Sequence, residues 1–175
     1  MFSKPKITNL SFLIIDDNSM MVTILKTLLH GFGVHEIYDA NDAISGFEEL
    51  TSTKIDIILL DNKMNTLDGI EFTRMVRTAN DSPNHYIPII MISAYTERSR
   101  IQAARDVGVN EFICKPISAK SLNARITEVI EHPRKFIETP QYFGPDRRRI
   151  KKSGYNGPER RGQKVKPKTT VEEQV

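Results

Sequence analysis

The stretch FLIIDDN, residues 12–18, sets two kinds of residue against each other. Four apolar side chains, Phe12, Leu13, Ile14 and Ile15, run straight into two adjacent carboxylates, Asp16 and Asp17. An unbroken apolar run of that length fits a strand buried on both faces, as in a parallel sheet covered by helices. Neighbouring carboxylates repel, and each loses hydration as a site closes around it. Taken alone, the pair fits a strand-end turn or a helix cap as well as a functional site, so the rest of the chain decides.

Further apolar runs follow at residues 55–60, 88–92 and 112–114, with a weaker one at 34–38. Helical patterns lie between them. Asn18 or Ser19 caps MMVTILKTLLHGFG, with Gly31 and Gly33 as stops, and Asn41 caps DAISGFEEL. Asp68 opens GIEFTRMVRTAN, whose inward face is Ile70, Phe72, Met75 and Val76. Thr96 with Glu97 starts ERSRIQAARDVG, which Gly108 closes. Ser118 caps AKSLNARITEVIEH, and Pro133 ends it. Five β-α repeats with right-handed crossovers predict an α/β fold built on a doubly wound five-stranded parallel sheet.

In such a sheet the residues just past each strand share one edge, where ligands bind. Asp16 and Asp17 follow the first run, Asp61 the second, Ser93 the third and Lys115 the fourth. Three carboxylates in one crevice call for a cation. Few hard oxygen ligands suit Mg²⁺ (or Mn²⁺), which keeps several waters and often shares a phosphate. A carboxylate nucleophile, a metal, a lysine and a hydroxyl together fit phosphoryl transfer.

The motifs IIDDN, LLDNKMNTLDG, MISA and FICKP, in this order and spacing, resemble the receiver domain of two-component response regulators, of the chemotaxis-type single-domain kind. The resemblance covers about residues 10–132. It implies a flavodoxin-like sheet of order 2-1-3-4-5 and a role for each matching residue. Asp61 is the phosphoacceptor, charged by a sensor histidine kinase or a phosphotransfer protein. Asp17 is the direct Mg²⁺ ligand, Asp16 its neighbour acting largely through water, and the backbone carbonyl of Lys63 a further ligand beside Asp61. Lys115 pairs with the phosphoryl oxygens, Ser93 is the switch hydroxyl, and Phe112 the aromatic that follows it. The Lys115–Pro116 bond is cis in the family. The implied output is changed affinity of the α4–β5–α5 side for a protein partner. At most the chain phosphorylates itself from a phosphodonor and loses the group again. Four positions depart from the pattern or tune it. Asn65 stands where the family usually has Pro, Phe112 where Tyr is common, and Lys63 and Tyr95 occupy positions that set the phosphoryl lifetime.

The 175-residue chain suffices for one domain and an extension, and its 39% hydrophobic content supports a core. Cys114 is the only cysteine, which excludes an intrachain disulfide and a cysteine metal cluster, fits a reducing cytoplasm, and reads as inert core. His30, His35, His85 and His132 show no metal-ligand spacing and are expected at the surface. No apolar run approaches the roughly 20 residues of a membrane span, so no membrane insertion is expected, and the run preceding Asp16 is too short for a signal peptide.

The net charge of +3 hides an asymmetry. Residues 1–132 carry 13 basic and 17 acidic side chains, whereas residues 133–175 carry 12 and 5. The second segment is rich in Pro, Gly, Lys and Arg, and is expected to be a mostly disordered basic extension. It holds an internal repeat, FGPDRRR at 143–149 and NGPERRG at 156–162. Arg147, Arg148, Arg149, Arg160 and Arg161 present planar forks suited to phosphate or guanine edges. Nucleic acid, an acidic protein surface and cyclic di-GMP all fit; small receivers with arginine-rich tails that bind cyclic di-GMP are similar in architecture. Two readings of the whole chain therefore stand: a phosphoacceptor regulator, or an unphosphorylated receiver-like module that presents a binding tail. A phosphatase-type hydrolase is disfavoured, because Asn62 and Lys63 stand where a second acid-base carboxylate is needed.

Overall fold

The computed structural model describes residues 6–65, 67–94 and 97–147. Five strands, β1 (Phe12–Ile15), β2 (Ile37–Ala40), β3 (Ile57–Asp61), β4 (Ile89–Ser93) and β5 (Glu111–Cys114), form one parallel sheet in the order β2-β1-β3-β4-β5. Between and after them run α1 (Ser19–Gly31), α2 (Ala43–Ser52), α3 (Gly69–Thr78), α4 (Arg98–Asp106) and α5 (Ala119–Glu131). A short 3-10 turn at Ile7–Asn9 precedes β1.

The unbroken apolar character of the strands has a direct cause: both faces of the sheet are covered. Leu13, Ile15, Ile58, Leu60, Ile89 and Met91 point into one core, which α2, α3 and α4 close with Leu50, Phe72, Val76 and Ala104. Their alternating neighbours Phe12, Ile14, Ile57, Leu59, Ile90 and Ile92 point into the other. There α1 and α5 supply Val22, Leu25, Leu29, Leu122 and Ile126. Each fully buried side chain of this kind contributes about 1.5–3 kcal/mol, so β1, β3 and β4 anchor the domain.

Local signals set the helix ends. The Asn18 side chain accepts the N–H groups of Met20 and Met21, and Asp68 and Ser118 form capping boxes with Glu71 and Ser121. The expected cap Asn41 gives way to Asp42, whose carboxylate accepts from the Ser45 N–H at 2.8 Å. An anion suits the positive end of a helix better than an amide does. α5 stops at Glu131, two residues before Pro133, whose ring disfavours a helical conformation just ahead of it. α4 begins after Glu97, which makes no side-chain cap bond. Thr96, the other residue expected to start it, lies outside the described residues.

Within the extension expected to be mostly disordered, the structure corrects one stretch, residues 136–145. An antiparallel hairpin, β6 (Phe136–Thr139) and β7 (Tyr142–Pro145), continues the ordered chain. Averaging composition over the extension diluted a short stretch rich in aromatic and branched residues, in which Phe136, Gly144 and Pro145 are buried. The second Gly-Pro repeat lies outside the described residues. Two further expectations are corrected. Cys114 is exposed, because the end of β5 lies at the sheet edge. His85 is half-buried, with Nδ1 2.9 Å from the Arg77 carbonyl oxygen.

Candidate functional site

Strand register alone brings the site together. Ile15 pairs with Leu60, so Asp16 emerges beside Asp61. Asp61 pairs with Ile92, and Ser93 with Cys114, so Ser93 and Lys115 emerge at successive positions along the same edge. Asp16, Asp61 and Ser93 are buried at 2%, 5% and 2% exposure, whereas Asp17 and Lys63 are exposed. Phe112 is half-buried and packs against the core under α2, α3 and α4. The Lys115–Pro116 peptide bond is cis.

Three carboxylates converge here: Asp16, Asp17 and Asp61 each offer an oxygen, and these oxygens lie within 4.8 Å of one another. One ammonium faces them. Lys115 Nζ donates to Asp61 Oδ1 at 2.7 Å and lies 3.6 Å from Asp16 Oδ2. The other carboxylate oxygens are held by main chain: Asp61 Oδ2 accepts the Lys63 N–H at 2.8 Å, and Asp16 Oδ1 accepts that of Asn18 at 2.9 Å. Asp16 Oδ2 is buried with no hydrogen-bond partner.

The electrostatics follow from this crowding. Burial raises the Asp16 carboxyl above the usual carboxylate range; the Asn18 N–H pulls it back, and the charge of Asp61 pushes it up again. For Lys115, burial works to lower the ammonium, but the hydrogen bond and charge of Asp61, with Asp16 behind it, outweigh burial and raise it. The pocket holds more negative charge than its lysine neutralises, which is the condition under which a divalent cation binds.

Packing holds Asp61 from behind. A Cβ on Gly69 would sit 2.6 Å from the Asp61 carbonyl oxygen, so the first turn of α3 presses on the backbone of β3, and only a residue without a side chain fits. Asn62 is buried with an orphaned Oδ1 of its own.

Arg147 is not part of this pocket. It packs over the Tyr142 ring and pairs with Asp106 at the far end of α4. Arg148, Arg149, Arg160, Arg161 and Tyr95 lie outside the described residues. Sequence reasoning missed Arg77, 2% exposed at the end of α3. The signal was available: Arg77 falls four residues after the buried Thr73 and eight after Gly69, on the inward stripe of the helix. It also missed Glu111, 2% exposed and held by Arg125 and Arg134.

The pattern of the family described as the response regulator receiver domain matches residues 12–127. The chain is 31% identical over 123 residues to chemotaxis protein CheY-3 of Vibrio cholerae, covering 70% of this chain and 93% of that protein. It is 32% identical over 122 residues to chemotaxis protein CheY of Pseudomonas aeruginosa, covering 70% and 97%. Among solved structures, the CheX–CheY complex of Borrelia burgdorferi with BeF3 and magnesium superposes with a TM-score of 0.63 at 27% identity, covering 73% of this chain and 98% of that one. A sensor histidine kinase receiver from Pseudomonas aeruginosa, solved with a magnesium ion in its active-site cleft, shares the fold with a TM-score of 0.62 at 23% identity, covering 70% and 98%. The edge built by Asp16, Asp61, Ser93 and Lys115 therefore sits on a known scaffold, and the chain belongs to the response regulator receiver family.

Proposed function

We propose that residues 10–132 form a phosphoacceptor in a His-to-Asp phosphorelay and that Asp61 takes the phosphoryl group. The observation that carries this reading is the 2.7 Å contact between Lys115 and Asp61 inside a cluster of three acids that outnumber it. A carboxylate so placed is oriented by Lys115 on one oxygen and the Lys63 N–H on the other. Its attack forms a bond from an Asp61 oxygen to phosphorus, while the bond from phosphorus to the donor's histidine nitrogen breaks and that nitrogen recovers its electron pair. Lys115 then exchanges its Asp61 oxygen for a phosphoryl oxygen, and Ser93, at the end of β4 on the same sheet edge, supplies the hydroxyl that donates to another.

The donor set fits Mg²⁺ or Mn²⁺. All the ligands are hard oxygens, and Asp16 Oδ2 is buried without a hydrogen-bond partner. Asp17, Asp61 and the Lys63 carbonyl would hold the ion, with Asp16 beside them. When bound, it neutralises charge on the phosphoryl oxygens and lowers the repulsion that a second anion meets.

The donors are a sensor histidine kinase or a phosphotransfer protein, and the output is changed affinity of the α4–β5–α5 side, including Phe112, for a protein partner. A cytoplasmic setting suits such partners, and no helix among the described residues is long and apolar enough to cross a membrane. The arginines from Arg147 onward bind an anion, cyclic di-GMP among the candidates, as an accessory to this switch. The test is incubation of the full chain with a small-molecule phosphodonor and Mg²⁺, read by intact mass. One hydroxylamine-labile phosphoryl group per chain, absent in Asp61→Ala, is expected. No gain, or a gain that persists in Asp61→Ala, sinks the reading in favour of an unphosphorylated tail-presenting module.

A further inference from the structure

The β6–β7 hairpin packs against the end of the domain opposite the acid cluster, at the amino ends of β4 and β5. Its aromatic side chains close over the loop before β4. Tyr86 meets Phe136 and Phe143 with ring centroids 5.1 and 5.2 Å apart, and His85 meets Phe143 edge-on at 6.1 Å. Beneath them lies Arg77. Its guanidinium donates to the carbonyls of Gly108 and His85 and to Asn110 Oδ1, at 2.8–3.1 Å, and Phe136 covers it at 5.1 Å. None of these partners is a carboxylate.

The same hairpin grips the C-terminal end of α4. Arg147 Nη1 donates to Asp106 Oδ1, on the last residue of the helix, at 2.7 Å. Backbones meet directly at the turn that follows. Gly108, with φ of 101°, has the Phe143 carbonyl oxygen 3.1 Å from where a Cβ would stand. A Cβ on Gly144 would lie 2.8 Å from Gly108 Cα. The Gly108 carbonyl is also the one that Arg77 holds twice.

α4 has little else to hold it. It lacks a side-chain cap at its amino end, and Ala104 is its only buried residue. Each of the other four helices buries three or more. Docking also carries its own opposing term, because the hairpin helps to bury a cation that has no carboxylate partner among the described residues. Aromatic contacts and cation–π attraction offset that cost.

We infer that the β6–β7 hairpin is an intramolecular clamp on α4, so that release of the hairpin and displacement of the helix are one linked event. Linkage is reciprocal: whatever moves α4 loosens the hairpin, and whatever pulls on the hairpin shifts α4. Resting on the function proposed above, phosphorylation of Asp61 is one such input, and it frees the chain from Arg147 onward.

Hydrogen exchange on the full chain tests this in two arms. In the first, Phe143→Ala speeds exchange of residues 98–108 about ten-fold, and Arg147→Ala a few-fold, while residues 12–15 and 57–61 stay protected. Faster exchange of 136–147 with unchanged exchange of 98–108 overturns the clamp. If Phe143→Ala loosens the whole domain, Arg147→Ala decides by the same criterion. In the second arm, a phosphodonor and Mg²⁺ are added and phosphoryl gain is followed by mass. Faster exchange of 136–147 in the phosphorylated fraction is expected, and unchanged exchange there overturns the link to Asp61. Absence of any phosphoryl gain overturns the proposed function instead, and the clamp then stands or falls on the first arm.

Discussion

The two ends of the sheet bury charge of opposite sign, and they treat it in opposite ways. At the carboxyl edge, Asp16 and Asp61 are buried together, one lysine faces three acids, and Asp16 Oδ2 has no hydrogen-bond partner. At the amino edge, Arg77 is buried with neutral carbonyls on its donors and an aromatic ring across its face. Burial lowers Arg77 to about 9, which leaves it protonated at neutral pH. The first arrangement is incomplete and gains from a ligand. The second is complete and gains nothing from one. Burial of charge alone does not identify a binding site; burial with unmet valence does.

The contrast is broken most sharply at Asp61. Asp61→Asn is expected to abolish phosphoryl incorporation while the fold persists, as followed by intact mass and far-UV circular dichroism. A substitution at the other edge inverts the pattern. Arg77→Ala strips hydrogen bonds from the carbonyls of Gly108 and His85 and from Asn110, and is expected to cost about 3 kcal/mol in urea unfolding. Phosphoryl incorporation by the folded fraction remains. If Arg77→Ala proved neutral to stability, the amino edge would not be the closed network described here.

Mg²⁺ gives the next effect. At one hundred times its Kd it is expected to stabilise the chain by about 2.7 kcal/mol, and the increment disappears in Asp17→Asn. An equal increment in Asp17→Asn would mean that the ion binds elsewhere. Smallest is Gly144→Ala. Its Cβ meets Tyr142 Oη at 2.6 Å and Gly108 Cα at 2.8 Å, so overpacking of about 1–3 kcal/mol falls on the hairpin. Thermal melting of the receiver core should barely move, while residues 136–147 lose exchange protection. A large shift in melting temperature would show that the hairpin is integral to the domain rather than docked on it.

Much of the carboxyl edge was legible in the sequence because each of its residues ends a strand or directly follows one, and parallel register then leaves few other places for Asp16, Asp61, Ser93 and Lys115 to go. The amino edge was not legible in the same way. Arg77 is identified by partners from the loop before β4 and the turn before β5, and no local pattern announces that two carbonyls and an amide will converge on one guanidinium. The hairpin was hidden for a related reason. Phe136 and Phe143 sit among residues of a basic, Pro- and Gly-bearing segment, and their value lies in Tyr86 and His85, some fifty residues away in sequence. Asp42 displaced Asn41 as a cap because a one-residue choice between two good capping side chains depends on where the chain leaves β2.

The hairpin also changes where the chain departs. Without it, everything beyond α5 would be tethered at Glu131. With Arg147 fixed to Asp106, the remaining residues start beside the last turn of α4. Were the proposed anion to bind just after Arg147, it would be held in that neighbourhood at a raised effective concentration. That neighbourhood is the helix that buries the fewest residues of the five.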